Sequence, residues 1–314
     1  MLREVEHWLK ARSWSLSDRP LQQVMAAKRA TGQSVSVVLP ALNEEATVGA
    51  IVTAIRRDLV RRVPLVDEIV VVDSGSTDRT AEVAAAAGAR VEHRDTILPR
   101  IPALPGKGEV LWRSLMVTRG DLVCFVDADL REFSSDFVTG IVGPLLTDPE
   151  VHLVKAMYDR PLAGAAGQGG RVTELMARPL LNMHWPLLAG FVQPLGGEYA
   201  ARRSLLERLP FPVGYGVELG MLVDALHTVG LDALAQVDVG VRHHRHQDGQ
   251  ALGRMAAAIY RTAQLRLARG HLLRPALTQF ERGPQGFEPH THPVDTEERP
   301  PMTEIAEYTA RRVA

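Results

Sequence analysis

The chain of 314 residues has a single cysteine, Cys124. One thiol excludes an intramolecular disulfide framework and fits a reducing, cytoplasmic setting. Cys124 lies inside an apolar run and reads as core rather than as a reagent. Net charge is almost absent: 36 Lys and Arg residues against 37 Asp and Glu give a formal −1. No bulk field of either sign therefore favours nucleic acid or an anionic membrane. No apolar run is long enough to span a bilayer. The charged opening stretch MLREVEHWLKARSWSLSDRP lacks the apolar segment of a signal peptide. Two nucleotide signatures are also missing: the loop at residues 71–80 is not a GxGxxG fingerprint, and no GxxxxGK(S/T) phosphate loop occurs anywhere. There is no internal repeat.

What remains is an ordinary globular composition, 46% hydrophobic and 23% charged, enough for one large or two modest domains. Along most of the chain, short β-branched runs alternate with helical patterns. Strands are predicted at Ser34–Leu39, Glu68–Val72, Ala89–His93, Asp121–Val126, Val151–Tyr158 and Ala233–Val241, with a strand and turn at Phe191–Gly197. Helices are predicted at Thr47–Val60, Asp78–Gly88, Lys107–Arg119, Phe133–Leu146, Arg171–Leu181, Gly216–Thr228 and Gln250–Arg269, the last basic and amphipathic. Residues 1–33 read as a helical arm, with Val5, Trp8 and Leu9 at helical spacing and a polar connector at Ser15–Arg19. The alternation implies βαβ units, a mostly parallel sheet and an α/β class. Residues 34–160 form the expected first domain, 161–248 a smaller α/β region, and 249–314 a helix and a polar, proline-rich tail.

Parallel sheets of this kind bind ligands beyond the carboxyl ends of their strands. Three polar clusters sit at such ends: Pro40–Glu45, Asp73–Asp78 and Asp127–Asp129. In DLVCFVDADL (Asp121–Leu130) an apolar strand runs into two aspartates. If the strand continues through them, Asp127 and Asp129 point to one side and suit a hard divalent cation. The alternative for three such residues is a solvated acidic turn. In VVDSGSTDRT, Asp73 is placed to accept hydrogen bonds from a base or ribose. Ser74, Gly75 and Ser76 permit close backbone approach, and Ser76 or Thr77 is expected to cap the next helix. Lys107, between glycines at a helix start, makes an anion site or else a solvated surface lysine. GQGGRVTE (residues 167–174) repeats that logic with Arg171 and Thr173, with a solvated hinge loop as the alternative. Glu218, at a glycine-flanked helix start, either favours the helix N-terminus or orients a hydroxyl. In VRHHRHQ, His244 and His246 share one side of an extended segment, and one imidazole completes a two-aspartate metal site better than a zinc site.

The ordered set VSVVLPALNEEATVG, VVDSGSTDRT, PGKGEVLWRSL, VDADL, GGRVTELMARPLL, QPLGGEYA and GYGVELG resembles the glucosyl-3-phosphoglycerate synthases, which are retaining glycosyltransferases of the GT-A fold. The resemblance covers roughly residues 34–247 and extends to the LTQF and ERPPM segments. It implies a Rossmann-like nucleotide-sugar domain, an acceptor-binding region and a homodimer. Pro40, Ala41, Leu42, Glu44 and Ser74 would line the nucleotide pocket, with Glu44 on the ribose, Asp73 near the uracil and Lys107 on the nucleotide. Asp127 and Ala128 would lie on the sugar-nucleotide side. Asp129 and His244 would ligate Mg2+ or Mn2+. Gly170, Arg171 and Thr173 would hold the anionic end of 3-phosphoglycerate, and Glu218 would sit by sugar and acceptor, with Asp127 in the reacting region. Some family members carry asparagine two positions after the metal histidine. This chain has His246 there, assigned to the acceptor side.

The implied reaction moves glucose from an NDP-glucose, UDP-glucose first, to D-3-phosphoglycerate with retention. Mannosyl transfer from GDP-mannose, nucleotidyl transfer and a non-catalytic nucleotide-sugar-binding module are the alternatives. No nucleic-acid partner is expected.

Overall fold

The β-branched runs pair into one sheet because each is too apolar to leave either face in water. The computed structural model describes residues 2–160, 170–242, 248–267, 276–283, 286–293 and 297–313. Its strands are β1 Ser13–Ser15, β2 Val35–Ala41, β3 Glu68–Asp73, β4 Arg90–His93, β5 Leu122–Phe125, β6 Leu153–Asp159, β7 Tyr199–Arg202, β8 Phe211–Pro212 and β9 Leu234–Val241. Eight of these form a sheet in the order β1-β9-β6-β7-β5-β2-β3-β4. β7 pairs antiparallel with both of its neighbours, while every other pairing in the sheet is parallel.

The helices are α1 Arg3–Arg12, α2 Leu21–Thr31, α3 Val48–Ile55, α4 Thr80–Ala87, α5 Lys107–Val117, α6 Asp136–Thr147, α7 Arg178–His184, α8 Arg203–Leu206, α9 Val217–Val229, α10 Gly249–Leu267 and α11 Ala306–Val313. Strand periodicity divides the core between the two faces of the sheet. Val38 of β2, Val70 and Val72 of β3, and Val123 and Phe125 of β5 pack with Trp8, α5, α7 and α9. Val37 and Leu39, Val71, and Leu122 and Cys124 pack on the other face with α2, α3 and α6. Burying each such side chain contributes roughly 1.5–3 kcal/mol. Trp8 is fully buried and donates its Nε1–H to Leu234 O at 2.7 Å, which fastens the N-terminal arm to the start of β9.

Four local expectations are corrected. Phe191–Gly197 is a run of turns, and the strand begins at Tyr199. Part of the polar connector is β1, which adds to β9 at the sheet edge. β5 ends at Phe125, so Asp127 and Asp129 lie on a turn and not on a continuing strand. Helix α4 starts at Thr80, and Asp78 rather than Ser76 or Thr77 accepts the Thr80 N–H, at 2.9 Å. Downstream, α10 is followed by a hairpin of β10 Ala276–Gly283 and β11 Gly286–Pro293. β12 Glu298–Arg299 then pairs antiparallel with β8. Among the described residues no helix is long and apolar enough to cross a membrane.

Candidate active site

Because the parallel strands share one direction, the chain leaves β2, β3, β5, β6 and β9 at the same edge of the sheet. β7 runs the other way, so it enters at that edge. This one reversal brings Gly196, Gly197 and Glu198 beside Asp127 and the end of β9.

On the β2–β3 side the loops are laced to one another. Asn43 adopts a left-handed backbone conformation (φ 57°), and its Oδ1 accepts the Thr77 N–H at 2.8 Å. Ser76 Oγ accepts the Asn43 N–H at 2.9 Å, and Ala41 O accepts the Ser74 N–H at 2.9 Å. Thr47 donates to Ala128 O at 2.6 Å, so the Leu42–Thr47 turn also supports the aspartate turn. Asp73 is buried and its Oδ1 accepts the Ser76 hydroxyl at 2.5 Å. Its carboxylate shapes the Ser74–Ser76 turn and does not line the cavity described next.

A cavity of about 690 Å³ opens at this edge. Pro40, Ala41, Leu42, Glu44 and Ser74 form one wall. Gly170, Arg171 and Thr173 form part of the opposite wall, where a helix starts at Arg171. Lys107, Asp127, Ala128, Asp129 and Glu218 lie between them. His244 and His246 fall outside the described residues.

The middle of the cavity is a charge cluster. Lys107 Nζ donates to Asp127 Oδ1 at 2.5 Å and pairs with Glu218 Oε1 at 2.8 Å. Arg242 Nη2 donates to Asp127 Oδ2 at 2.8 Å and reaches Asp129 Oδ1 at 3.3 Å. Arg242 Nε donates to the fully buried Glu198 at 2.9 Å, and Tyr158 donates to the other oxygen of Glu198 at 2.7 Å. Burial opposes the charged forms of Lys107 and Asp127, but their opposite charges outweigh it. Lys107 is held well above the usual lysine range and Asp127 below the usual carboxylate range. Asp129 moves the other way. Burial raises its pKa, and the neighbouring Asp127 charge raises it further. Lys155, buried beneath the cluster, is pushed down to about 8 by desolvation. It donates to Gly196 O at 2.5 Å and lies over the Tyr199 ring.

Gly197 explains how the cluster closes. A Cβ at this position would stand 2.3 Å from both Asp127 Oδ2 and Lys107 Nζ. Only a residue without a side chain lets the β7 entry pack against that ion pair.

Five residues of this centre escape the motif reading: Arg242, Glu198, Tyr158, Lys155 and Arg160. The signal was available for two of them. Lys155 is a lone cation in an apolar strand, and Glu198 interrupts an apolar and glycine stretch just before one. Arg160 lines the cavity, and its buried Nε has no hydrogen-bond partner among the described residues.

Among the described residues no three His, Cys, Asp or Glu side chains group into a metal cage. The donor set on offer is Asp129 with Asp127 beside it. Those oxygens would suit a hard divalent cation.

A doubly covered sheet with an acidic turn after β5, a laced loop pair on one side and Arg160 and Arg171 on the other suits an anionic nucleotide-type ligand, and the family match gives the class, a glycosyltransferase. Residues 36–178 match the family model described as glycosyl transferase family 2. The chain is 50% identical over 309 residues to glucosyl-3-phosphoglycerate synthase of Mycolicibacterium paratuberculosis, with 95% of this chain and 92% of that protein covered. It belongs to the glucosyl-3-phosphoglycerate synthase family. Mannosyl-3-phosphoglycerate synthase from Rubrobacter xylanophilus superposes with a TM-score of 0.89 at 42% identity, covering 96% of this chain and 97% of that one. Glucosyl-3-phosphoglycerate synthase from Mycobacterium tuberculosis, in complex with Mn2+, uridine-diphosphate-glucose and phosphoglyceric acid, superposes with a TM-score of 0.81 at 48% identity. That match covers 90% of this chain and 94% of that one.

Proposed function

We propose that this protein transfers glucose from UDP-glucose to D-3-phosphoglycerate with retention at the anomeric carbon. The observation that carries the reading is one cavity whose two walls meet at the Lys107–Asp127–Glu218 cluster. On one wall, Pro40–Glu44 and Ser74 receive the nucleoside. On the other, the helix start at Arg171, with Thr173 and the Arg160 guanidinium, receives the phosphate and carboxylate of the acceptor. The Mycobacterium tuberculosis relative in complex with Mn2+, UDP-glucose and phosphoglyceric acid supports both ligands and the cation. Asp129, with Asp127 beside it, would hold the divalent ion, with His244 as the further ligand that the family resemblance implies. When bound, the ion neutralises the leaving diphosphate.

The chain's own residues orient the rest. Fixing the acceptor by its anionic end aims its hydroxyl at the sugar and supplies proximity. Both carboxylates facing the reacting region, Asp127 and Glu218, are ion-paired to Lys107. Carboxylates held in this way are poor covalent nucleophiles. Retention therefore proceeds by same-face attack of the acceptor hydroxyl as the diphosphate departs, with that diphosphate taking the proton.

The test is a product assay. Purified protein with Mn2+ or Mg2+ and 3-phosphoglycerate is offered UDP-glucose, GDP-glucose and GDP-mannose in parallel. UDP-glucose is expected to give UDP and a phosphorylated glucoside whose anomeric coupling in NMR matches that of the donor. If no donor gives a glycoside, the reading fails. Release of pyrophosphate would indicate nucleotidyl transfer instead.

A further inference from the structure

Lys107 and Glu218 lie in the first turns of two helices, α5 and α9, that are far apart in sequence. Their 2.8 Å contact requires both helix starts to be fixed. A pair of adjacent, oppositely charged residues in the C-terminal segment braces both helices. Arg299 Nε donates to Glu109 Oε2 at 2.7 Å and its Nη2 to Glu109 Oε1 at 2.9 Å. Glu109 is fully buried in the first turn of α5, two residues after Lys107. The neighbouring Glu298 pairs with Arg266 of α10 at 2.7 Å. Arg266 Nε in turn donates to Asp224 of α9 at 3.0 Å. One side chain of the pair thus joins Arg113 in holding Glu109 in the first turn of α5, and the other reaches Asp224, in the middle of α9, through Arg266.

The backbone between these grips is equally tight. Val213 N–H donates to Glu297 O at 3.0 Å, and Glu109 N–H donates to Val213 O at 3.1 Å. A Cβ on Gly108 would lie 1.8 Å from Pro212 O, and one on Gly216 would lie 1.9 Å from Thr262 Oγ1. Trp112 Nε1 donates to Pro300 O at 2.9 Å, and Met302 is fully buried. The β8 segment, which leads directly to Glu218, is therefore sandwiched between the start of α5 and β12.

We propose that Glu298 and Arg299 form a clamp that positions the Lys107–Glu218 pair for glycosyl transfer. Both are positioning residues and touch no substrate. The inference rests on the transfer reading for its kinetic arm and on the fold alone for its structural arm.

The test uses the full-length protein with Arg299→Gln, Arg299→Lys and Glu298→Gln. Displacements below 1 Å at a reacting centre carry large rate penalties. Arg299→Gln is expected to lower kcat about tenfold or more, with KM for UDP-glucose and 3-phosphoglycerate nearly unchanged. Arg299→Lys should recover part of that loss. Glu298→Gln, the milder change at a partly exposed residue, should lower kcat about threefold and keeps the test alive if Arg299→Gln fails to fold. In the same variants, amide exchange at residues 107–110 and 217–220 should quicken relative to wild type. A purely structural role would lower the melting temperature and leave kcat below that temperature unchanged. That outcome, or unaltered exchange at both helix starts, overturns the clamp. A wild-type protein that transfers no glucose would sink the functional reading, while the exchange measurement would still decide the clamp.

Discussion

The two sides of the cavity are built in different ways. The β2–β3 side is held mainly by backbone groups and small polar side chains: Asn43 with Thr77, Ser76 with Asn43, Ser74 with Ala41. The β5–β7–β9 side is held by formal charges, the half-buried Lys107 and Asp127 and the buried Arg242 and Glu198. Neutral hydrogen bonds are worth about 1 kcal/mol each and can be lost one at a time. A buried charge that loses its partner remains in a medium that cannot solvate it, and the penalty is several times larger. The nucleoside side should thus tolerate substitution, while the charged side should fail as a unit.

Three changes would break or sharpen this contrast. The largest effect is expected from Glu198→Gln, which leaves the buried Arg242 without its innermost anion. Stability should fall by about 3–5 kcal/mol, read as a lowered urea midpoint at constant slope. A shift under about 1 kcal/mol would place both sides in the same class. Next comes Gly197→Ala. The atoms its methyl would displace are side-chain ends, so the fold should survive. Those ends belong to Asp127 and Lys107, however, and kcat should drop by about 10²-fold. Wild-type kcat in this variant would mean that the ion pair can relax without consequence. The smallest effect belongs to Ser76→Ala on the nucleoside side. About 1 kcal/mol of stability should be lost, with a modest rise in KM for UDP-glucose and little change in kcat. A loss of kcat comparable to that of Gly197→Ala would erase the contrast.

The nucleoside side was also the more legible in the sequence. Its loops directly follow strands whose β-branched runs are unmistakable, and their contacts join segments only about one βαβ unit apart. Pro40, Ala41, Leu42, Glu44 and Ser74 therefore line the cavity, while Asn43 and Glu45 of the same loop do not. Asp73 does not either, because a short carboxylate next to Ser76 satisfies its own loop first. The aspartate turn was legible as a motif but not in its geometry, since the strand stops at Phe125. On the charged side, Lys107 and Glu218 were each readable as helix-start residues, but nothing local indicated that they meet. Arg242 was passed over in favour of the histidines that follow it.

The order of strands and helices, the two-faced burial of the sheet and the loops that carry polar residues were determined by local pattern. Hydrophobic period and turn chemistry act over a few residues and can be read directly. The reversed direction of β7 was decided only in three dimensions, and with it came the meeting of Glu198 with Arg242 and of Gly197 with Asp127. So was the tie from Glu298 and Arg299 back to the middle of α9 and the start of α5. These contacts join residues 44, 70 and 190 positions apart. Coulomb attraction at such separations carries no sequence period. It depends on which strand ends the fold brings to one edge and on how little water is left there.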